Sequence, residues 1–196
     1  MSTTYFIHQR MDAAQTYVGV DSDHPLPVYL AAAGVGAVTT RDSYAAAVTI
    51  TRPANQTPYT AVDVVGATAA AITFPSMGPS GKEILITSVS LEIDTTAIPS
   101  GMTSFKLALY SVTPPSALAD NAPWDLPSGD RASFLGIFSL GTPVDLGSTL
   151  YVEISGVNKQ VTLAGTNLFG YLITDGGFTP AANSEVYRIT LHSVAV

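Results

Sequence analysis

Side chains that could carry out acid–base or metal chemistry are few and widely spaced in this chain. The three histidines, His8, His24 and His192, lie far apart, and none belongs to an H-E-x-x-H pair of the kind that holds zinc in many hydrolases. No G-x-S-x-G nucleophile elbow and no G-x-x-x-x-G-K-[ST] phosphate loop occurs, and cysteine is absent. The sequence therefore predicts a protein that is not an enzyme, with no catalytic residue, no metal site and no cofactor.

The positions of the glutamates also predict a protein without catalytic activity. The only glutamates are Glu83, Glu92, Glu153 and Glu185. Glycoside cleavage needs two carboxyl groups that face each other across a cleft. Glu92 and Glu153 alternate with apolar neighbours, which places them on the solvent-facing sides of predicted strands. We therefore expect these side chains to keep a sheet soluble rather than to form a catalytic pair.

The longest irregular stretch, residues 113–131, holds the only tryptophan. Loops of this length exceed ordinary connections and tend to carry function. An exposed aromatic ring beside polar groups can stack on a sugar or anchor a protein interface, whereas the same ring can also fold back and cover an edge of a sandwich. For the first alternative, the candidate recognition residues are Asp120, Trp124, Asp125, Asp130 and Arg131.

Charge and hydrophobicity restrict the partners. Of 196 residues, 8 are Lys or Arg and 15 are Asp or Glu, so the formal net charge is −7 at pH 7. An acidic chain with so few cations predicts no nucleic-acid partner, because phosphates are bound through Lys and Arg. The longest uncharged, mostly apolar run, residues 28–38, is well short of the about 20 residues of a membrane-spanning helix. We expect no membrane partner, and no secretory signal because no cationic start precedes a long apolar stretch.

The first part of the chain, residues 1–47, shows no clean period of apolar side chains. Pro25 and Pro27 favour an extended path, and the small residues 31–36 pack weakly. This range is predicted to be an extended N-terminal arm with little core of its own. Its tyrosines could anchor a partner at low entropic cost or could be ordinary surface residues. The candidate partner-binding residues of the arm are Tyr5, Tyr17, His24, Pro25, Leu26, Pro27 and Tyr29.

Residues 48–196 show short apolar runs with turn residues between them. In one run Leu85, Val89, Leu91 and Ile93 are predicted to share a buried face, with polar side chains on the other. The predicted strands are residues 48–52, 69–74, 83–94, 104–112, 132–140, 149–155, 160–163, 167–174 and 185–196. This pattern predicts an all-β fold, an antiparallel two-sheet sandwich of jelly-roll type, with the arm in front of it.

Two segments resemble the structural proteins of tailed-bacteriophage virions. Residues 51–66, TRPANQTPYTAVDVVG, resemble an R-P-A-x-x-T-x-Y-x-x-x-D-V-x-G run that opens a β-sandwich domain in such proteins. Residues 21–28, DSDHPLPV, are similar to linker segments of phage virion proteins. The resemblance implies a non-enzymatic virion component, and no individual functional residue can be carried over from it.

The arm, the sandwich and the resemblance together favour a head decoration, or cement, protein. The arm would lie along the capsid lattice, so the expected partners are the major capsid protein or other virion proteins. A homo-oligomer would add avidity, and a trimer would match local threefold positions on a capsid. The expected location is the virion, on the head surface, after synthesis in the host cytoplasm. The alternative is a tail, baseplate or fibre component, or an adhesin module that binds a host glycan.

Overall fold

The computed structural model describes residues 42–67 and 69–196, and this part of the chain consists of strands and turns. It contains no helix that is long and apolar enough to cross a membrane. Its ten strands, in chain order, are β1 (Ser43–Thr51), β2 (Val64–Val65), β3 (Ile72–Phe74), β4 (Glu83–Ile93), β5 (Phe105–Tyr110), β6 (Phe134–Gly141), β7 (Val144–Asp145), β8 (Leu150–Thr162), β9 (Leu168–Thr174) and β10 (Val186–Ala195).

The strand order is that of a jelly roll. The first sheet has the order β1-β10-β4-β8-β7, and the second has the order β2-β9-β5-β6, with β3 also pairing with β9. Every pair is antiparallel. The first strand pairs with the last, β4 with β8, and β5 with β6, as in one long hairpin rolled into two facing sheets. The predicted all-β, antiparallel, jelly-roll-like sandwich is confirmed.

The hydrophobic core lies between the two sheets. On β10, Tyr187, Ile189 and Leu191 are fully buried, while Arg188 on the other face is exposed. From the second sheet, Phe105 packs edge-on against Tyr187 with the ring centroids 6.2 Å apart. Strict alternation of this kind buries one face of a strand and leaves the other to solvent.

The strand β4 departs from the predicted face at one point. Ser88 pairs with His192 of β10, whereas Ile86 pairs with the next residue, Ser193, so Thr87 is an extra residue on β4. Because of the extra residue, the alternation of inward and outward side chains shifts by one position between the residues before the bulge and those after it. Ile86 is therefore buried while Leu85 is half-exposed on the outer face. The prediction that Leu85 shares the buried face was wrong for this reason.

The strand β1 begins at Ser43, whereas the sequence pattern places the start of a strand at Val48. Its first residues lie in the range predicted as arm, and their ladder with β10 starts at the pair Ser43↔Val194. The alanines at 45–47 give little apolar contrast, so the pairing with β10, rather than local pattern, makes them a strand. The sandwich thus includes residues 43–47, and any arm must precede them.

Two predicted strands, residues 149–155 and 160–163, form the single strand β8. Ser155 pairs with Ser88 and Lys159 pairs with Ile86, so the residues between them bulge out of the ladder. Gly156 and Asn158 have positive φ values of 69° and 50°, which kink the strand without ending its pairing with β4.

Gly170 of β9 lies where the second sheet leaves no room for a side chain. A Cβ at this position would lie 2.7 Å from the carbonyl oxygen of Ala108 and 3.1 Å from the side chain of Leu109. We expect Gly170→Ala to lower the free energy of unfolding by about 1–3 kcal/mol, measured from the denaturant midpoint. At Gly165 a Cβ would meet nothing within 4 Å, so Gly165→Ala is the matched control. Equal changes in the two variants would contradict the packing argument.

Candidate functional site

The loop between β5 and β6, residues 111–133, lies against the second sheet. Part of it runs beside β2 and forms backbone hydrogen bonds with that strand and with Val62 just before it. The amide of Asn121 donates to the carbonyl of Val64, and the amide of Trp124 donates to the carbonyl of Val62, each at 2.8 Å. These bonds attach the loop to the edge of the sheet, as a further short strand would.

Beneath the loop, the outer face of the second sheet carries a second apolar cluster. Its buried members on the strands are Val64, Ala108, Tyr110, Tyr171 and Ile173. Partly buried apolar side chains pack on them, and three come from the loop itself, namely Leu118, Trp124 and Leu126. Both faces of the second sheet are therefore covered, which explains why consecutive residues of β5 and β9 are buried.

Trp124 is half-buried and covers part of this face. Its ring packs on Phe134, with the centroids 6.2 Å apart and the planes at 41°. The indole Nε1 is buried and has no hydrogen-bond partner among residues 42–67 and 69–196. The side chain thus folds back on the sandwich, as in the second of the two alternatives, although it covers a face rather than an edge. A recognition role for the remaining exposed part of the ring stays a prediction.

Asp120 joins the loop to the end of β1. Its carboxylate accepts a hydrogen bond from the Tyr59 hydroxyl at 2.6 Å and from the amide of Gly66 at 3.1 Å. It also forms an ion pair with Arg52 at 3.3 Å, and the two side chains are 6% and 0% exposed. An ion pair so far from solvent must be satisfied by its surroundings, because each charge has lost its hydration.

The Arg52 guanidinium is the centre of a buried polar cluster made of Arg52, Tyr59, Asp120, Glu185 and Tyr187. Its Nε donates to the Tyr59 hydroxyl, and its Cζ lies 4.6 Å from the centroid of the Tyr59 ring. Burial alone would lower the pKa of Arg52, but Tyr59 and Asp120 outweigh it and the pKa is raised. The guanidinium therefore stays charged in the interior.

Glu185 completes the cluster from the loop before β10. Its side chain is buried, accepts the Tyr187 hydroxyl at 3.0 Å and accepts the amide of Ala182 at 3.2 Å. Its backbone carbonyl accepts the amide of Arg52 at 3.0 Å. Burial and then the Glu185 charge raise the pKa of Tyr187. Burial and the hydrogen bond to Asp120 raise the pKa of Tyr59.

The remaining predicted recognition residues occupy three different settings. Asp130 is buried, and its carboxylate accepts the amide of Ser116 at 3.4 Å, so it holds the loop from inside. Asp125 is exposed and accepts the amide of Leu126, the residue after it. Arg131 is exposed. The structure therefore brings none of these three into the cluster around Arg52, and their role in recognition stays a prediction.

The predicted partner-binding residues of the arm lie outside the described residues. They are Tyr5, Tyr17, His24, Pro25, Leu26, Pro27 and Tyr29.

The buried polar cluster was not predicted from the sequence, although one signal for it was present. Arg52 continues the inward-facing positions of β1, which include Ala46 and Ile50. Alternation therefore predicts an inward guanidinium at the end of the strand, and a buried guanidinium needs a carboxylate partner. Nothing local in the sequence identifies Asp120 as that partner.

Carboxylates elsewhere on the described surface form local pairs. Glu92 forms an ion pair with Arg188 at 3.3 Å, and Glu153 accepts the Tyr151 hydroxyl at 2.7 Å, both on the outer face of the first sheet. No group of three or more His, Cys, Asp or Glu that could hold a metal ion occurs in residues 42–67 and 69–196.

No protein-family model and no curated protein matches the chain. Chains from two bee viruses are similar among solved structures. A chain of the heated full particle of Israeli acute paralysis virus is 14% identical, with a TM-score of 0.31 over 100% of this chain and 94% of that chain. A chain of the native Kashmir bee virus virion at acidic pH is 15% identical, with the same TM-score and coverage. A TM-score of 0.31 is too low to assign a fold. The jelly-roll assignment is therefore based on the strand order alone.

The ion pair between Arg52 and Asp120 should contribute strongly to stability. Asp120→Asn leaves the buried guanidinium without its counter-charge, and we expect the free energy of unfolding to fall by about 3 kcal/mol. Asp125→Asn removes an exposed carboxylate from the same loop and should change it by less than about 0.5 kcal/mol. Chemical denaturation of both variants measures the difference, and a similar loss in the two would refute the role of the ion pair.

The raised pKa values of Tyr59 and Tyr187 predict a loss of stability in alkali. Below pH about 10 both phenols are neutral in the folded and unfolded chain, so their contribution is fully present. Above it the unfolded chain releases protons that the folded chain retains, so the free energy of unfolding falls by about 1.4 kcal/mol per pH unit for each retained proton. Chemical denaturation from pH about 9 to about 11 spans the ordinary tyrosine pKa of about 10. Over this range the free energy of unfolding should fall less steeply in Tyr187→Phe than in wild type. The same slope in wild type and variant would count against the prediction.

Proposed function

We propose that this chain is a non-enzymatic structural protein of a tailed-bacteriophage virion, and that it decorates and stabilises the head. In this proposal the sandwich projects from the capsid, and the residues before β1 bind the major capsid protein. The proposed anchors are Tyr5, Tyr17, Tyr29 and residues 24–27, which combine aromatic contact area with a proline-restricted path.

The observation that carries the proposal is the position of the segment that resembles phage virion proteins. Within residues 51–66, Arg52 and Tyr59 bond to each other and to Asp120, and the amide of Gly66 bonds to the same carboxylate. The Asp63 carboxylate accepts the Thr60 hydroxyl at 3.0 Å. The resembling residues therefore follow the first strand and join β1 and β2 to the loop, near the start of the sandwich.

Physical chemistry favours binding through many weak contacts. An arm that becomes ordered on binding loses conformational entropy, so its affinity per unit of contact area is low. Copies joined in an oligomer would compensate by avidity, since several arms bind the lattice together. The chain enters the sandwich at Ser43, an exposed end of an edge strand, from which preceding residues can reach a neighbouring surface.

The alternative is a tail, baseplate or fibre component, or a host-glycan adhesin. The loop of residues 111–133 favours it to the extent that Asp125 and Arg131 are exposed beside the half-buried Trp124. Charged groups next to an aromatic ring suit the recognition of sugars. Much of that ring is used in covering the second sheet, however, which leaves less of it for a ligand.

Deletion of residues 2–27 should remove head binding while leaving the sandwich folded. We expect the affinity of the purified protein for expanded phage heads to fall by about tenfold or more, because several simultaneous contacts are lost. Co-sedimentation of heads with increasing protein measures this affinity. The matched control is the double variant Asp125→Ala, Arg131→Ala, which alters the loop and should bind heads as wild type does.

Unchanged binding after the deletion would refute the role of the arm, and absence of binding by the wild-type protein would refute head decoration. Loss of binding in the loop variant alone, or binding to tails instead of heads, would favour the alternative.

A further inference from the structure

The outer edge of β1 is a long, uncharged edge strand. β1 pairs with β10 along its whole length, from Ser43↔Val194 to Thr51↔Val186, without a bulge. Among residues 42–67 and 69–196 nothing pairs with its other edge. The strand contains no charged residue and no proline, the usual protections of an edge against pairing with another chain. It is thus a ready template for one more strand.

An apolar groove lies beside residues 48–50 of this edge, where the edges of the two sheets part. Its volume is about 150 Å³, and it is lined on one side by Val48 and Ile50 of β1 and on the other by Val64, Val65 and Ile72. A groove of this size accepts small side chains, such as alanine and valine, better than large ones. A strand that paired with β1 would place alternate side chains in it.

The chain contains one segment that suits the groove. Residues 28–38, VYLAAAGVGAV, form an uncharged, mostly apolar run, and four residues separate it from β1. Alternate positions from 31 to 37 hold Ala, Ala, Val and Ala, the sizes that the groove admits. The run is also long enough to pair with the whole of β1.

The four residues between this run and β1 decide which copy receives it. Pairing with β1 of the same chain would need a tight reversal within Thr39-Thr40-Arg41-Asp42. Two-residue hairpin turns need positive φ and favour Gly, Asn or Asp. Thr39 and Thr40 are β-branched and poorly suited to such positions, and the one favoured residue, Asp42, lies next to β1. Fully extended, four residues span about 13 Å, enough to reach an adjacent copy.

We propose that residues 28–38 of one copy add as a strand to the outer edge of β1 in a second copy, with their small side chains in the groove lined by Val48 and Ile50. Each copy donates one segment and accepts one, and the proposed assembly is the closed form of this exchange, a cyclic homo-oligomer. Apart from Tyr29, the proposed head-binding anchors all lie before residue 28, so strand exchange does not depend on head binding.

Two variants separate the donor from the acceptor. Val48→Lys places a charge in the groove and blocks the acceptor, while Val35→Asp places a charge in the donated segment. The matched control is Ala47→Lys, which puts the same charge on the exposed outer face of β1, away from the groove. The molar mass of each full-length protein in solution is measured by light scattering during size-exclusion chromatography.

Wild type and Ala47→Lys should have the mass of an oligomer, and Val48→Lys and Val35→Asp should each fall to one chain of 20.4 kDa. An equal mixture of the two monomeric variants should recover a two-chain species, because one retains its donor and the other its acceptor. This recovery also shows that both variants are folded.

A monomeric wild-type protein overturns the proposal, as do variants that keep the wild-type mass or a mixture that stays monomeric. Head binding is measured separately with the deletion of residues 2–27. A monomer that binds heads would overturn strand exchange alone, and an exchanging oligomer that does not bind heads would overturn head decoration alone.

Discussion

The buried guanidinium of Arg52 constrains much of this sandwich. Arg52 lies just after β1, the residue as a whole is 2% exposed, and its charge has lost its hydration. Its partners come from separate parts of the chain: Tyr59 from the segment after β1, and Asp120 from the loop between β5 and β6. Satisfying one charge therefore fixes the position of that loop relative to the first strand.

The position of the loop in turn makes the two sheets different. Because residues 111–133 lie on the second sheet, its outer face is covered by Leu118, Trp124 and Leu126. The outer face of the first sheet stays solvated among the described residues, with pairs such as Arg188 and Glu92 on it. The sandwich thus presents one open face and one closed face.

The open edge beside β1 lies where the chain enters the sandwich. Any arm must end before β1. Among residues 42–67 and 69–196, nothing pairs with the outer edge of β1 or fills the groove beside it. In the two proposals, the residues that bind the capsid and the edge that pairs with another copy would therefore both lie next to β1. This arrangement links the proposed head binding, whose anchors apart from Tyr29 lie in residues 1–27, to an assembly formed by residues 28–38, without requiring either to depend on the other.

The amino-acid sequence by itself determined the fold class, because alternation along strands such as β10 and turn residues between them are local properties. It did not determine the start of β1, the face of Leu85 or the continuity of β8, since each depends on a bulge or a ladder formed with a distant strand. The same holds for the site: the pattern contained the inward position of Arg52, but its partner Asp120 is 68 residues away. Only the tertiary structure decided that Asp120 and Trp124 hold and cover the sandwich, because the contacts that bury them join residues with no local relation in the chain.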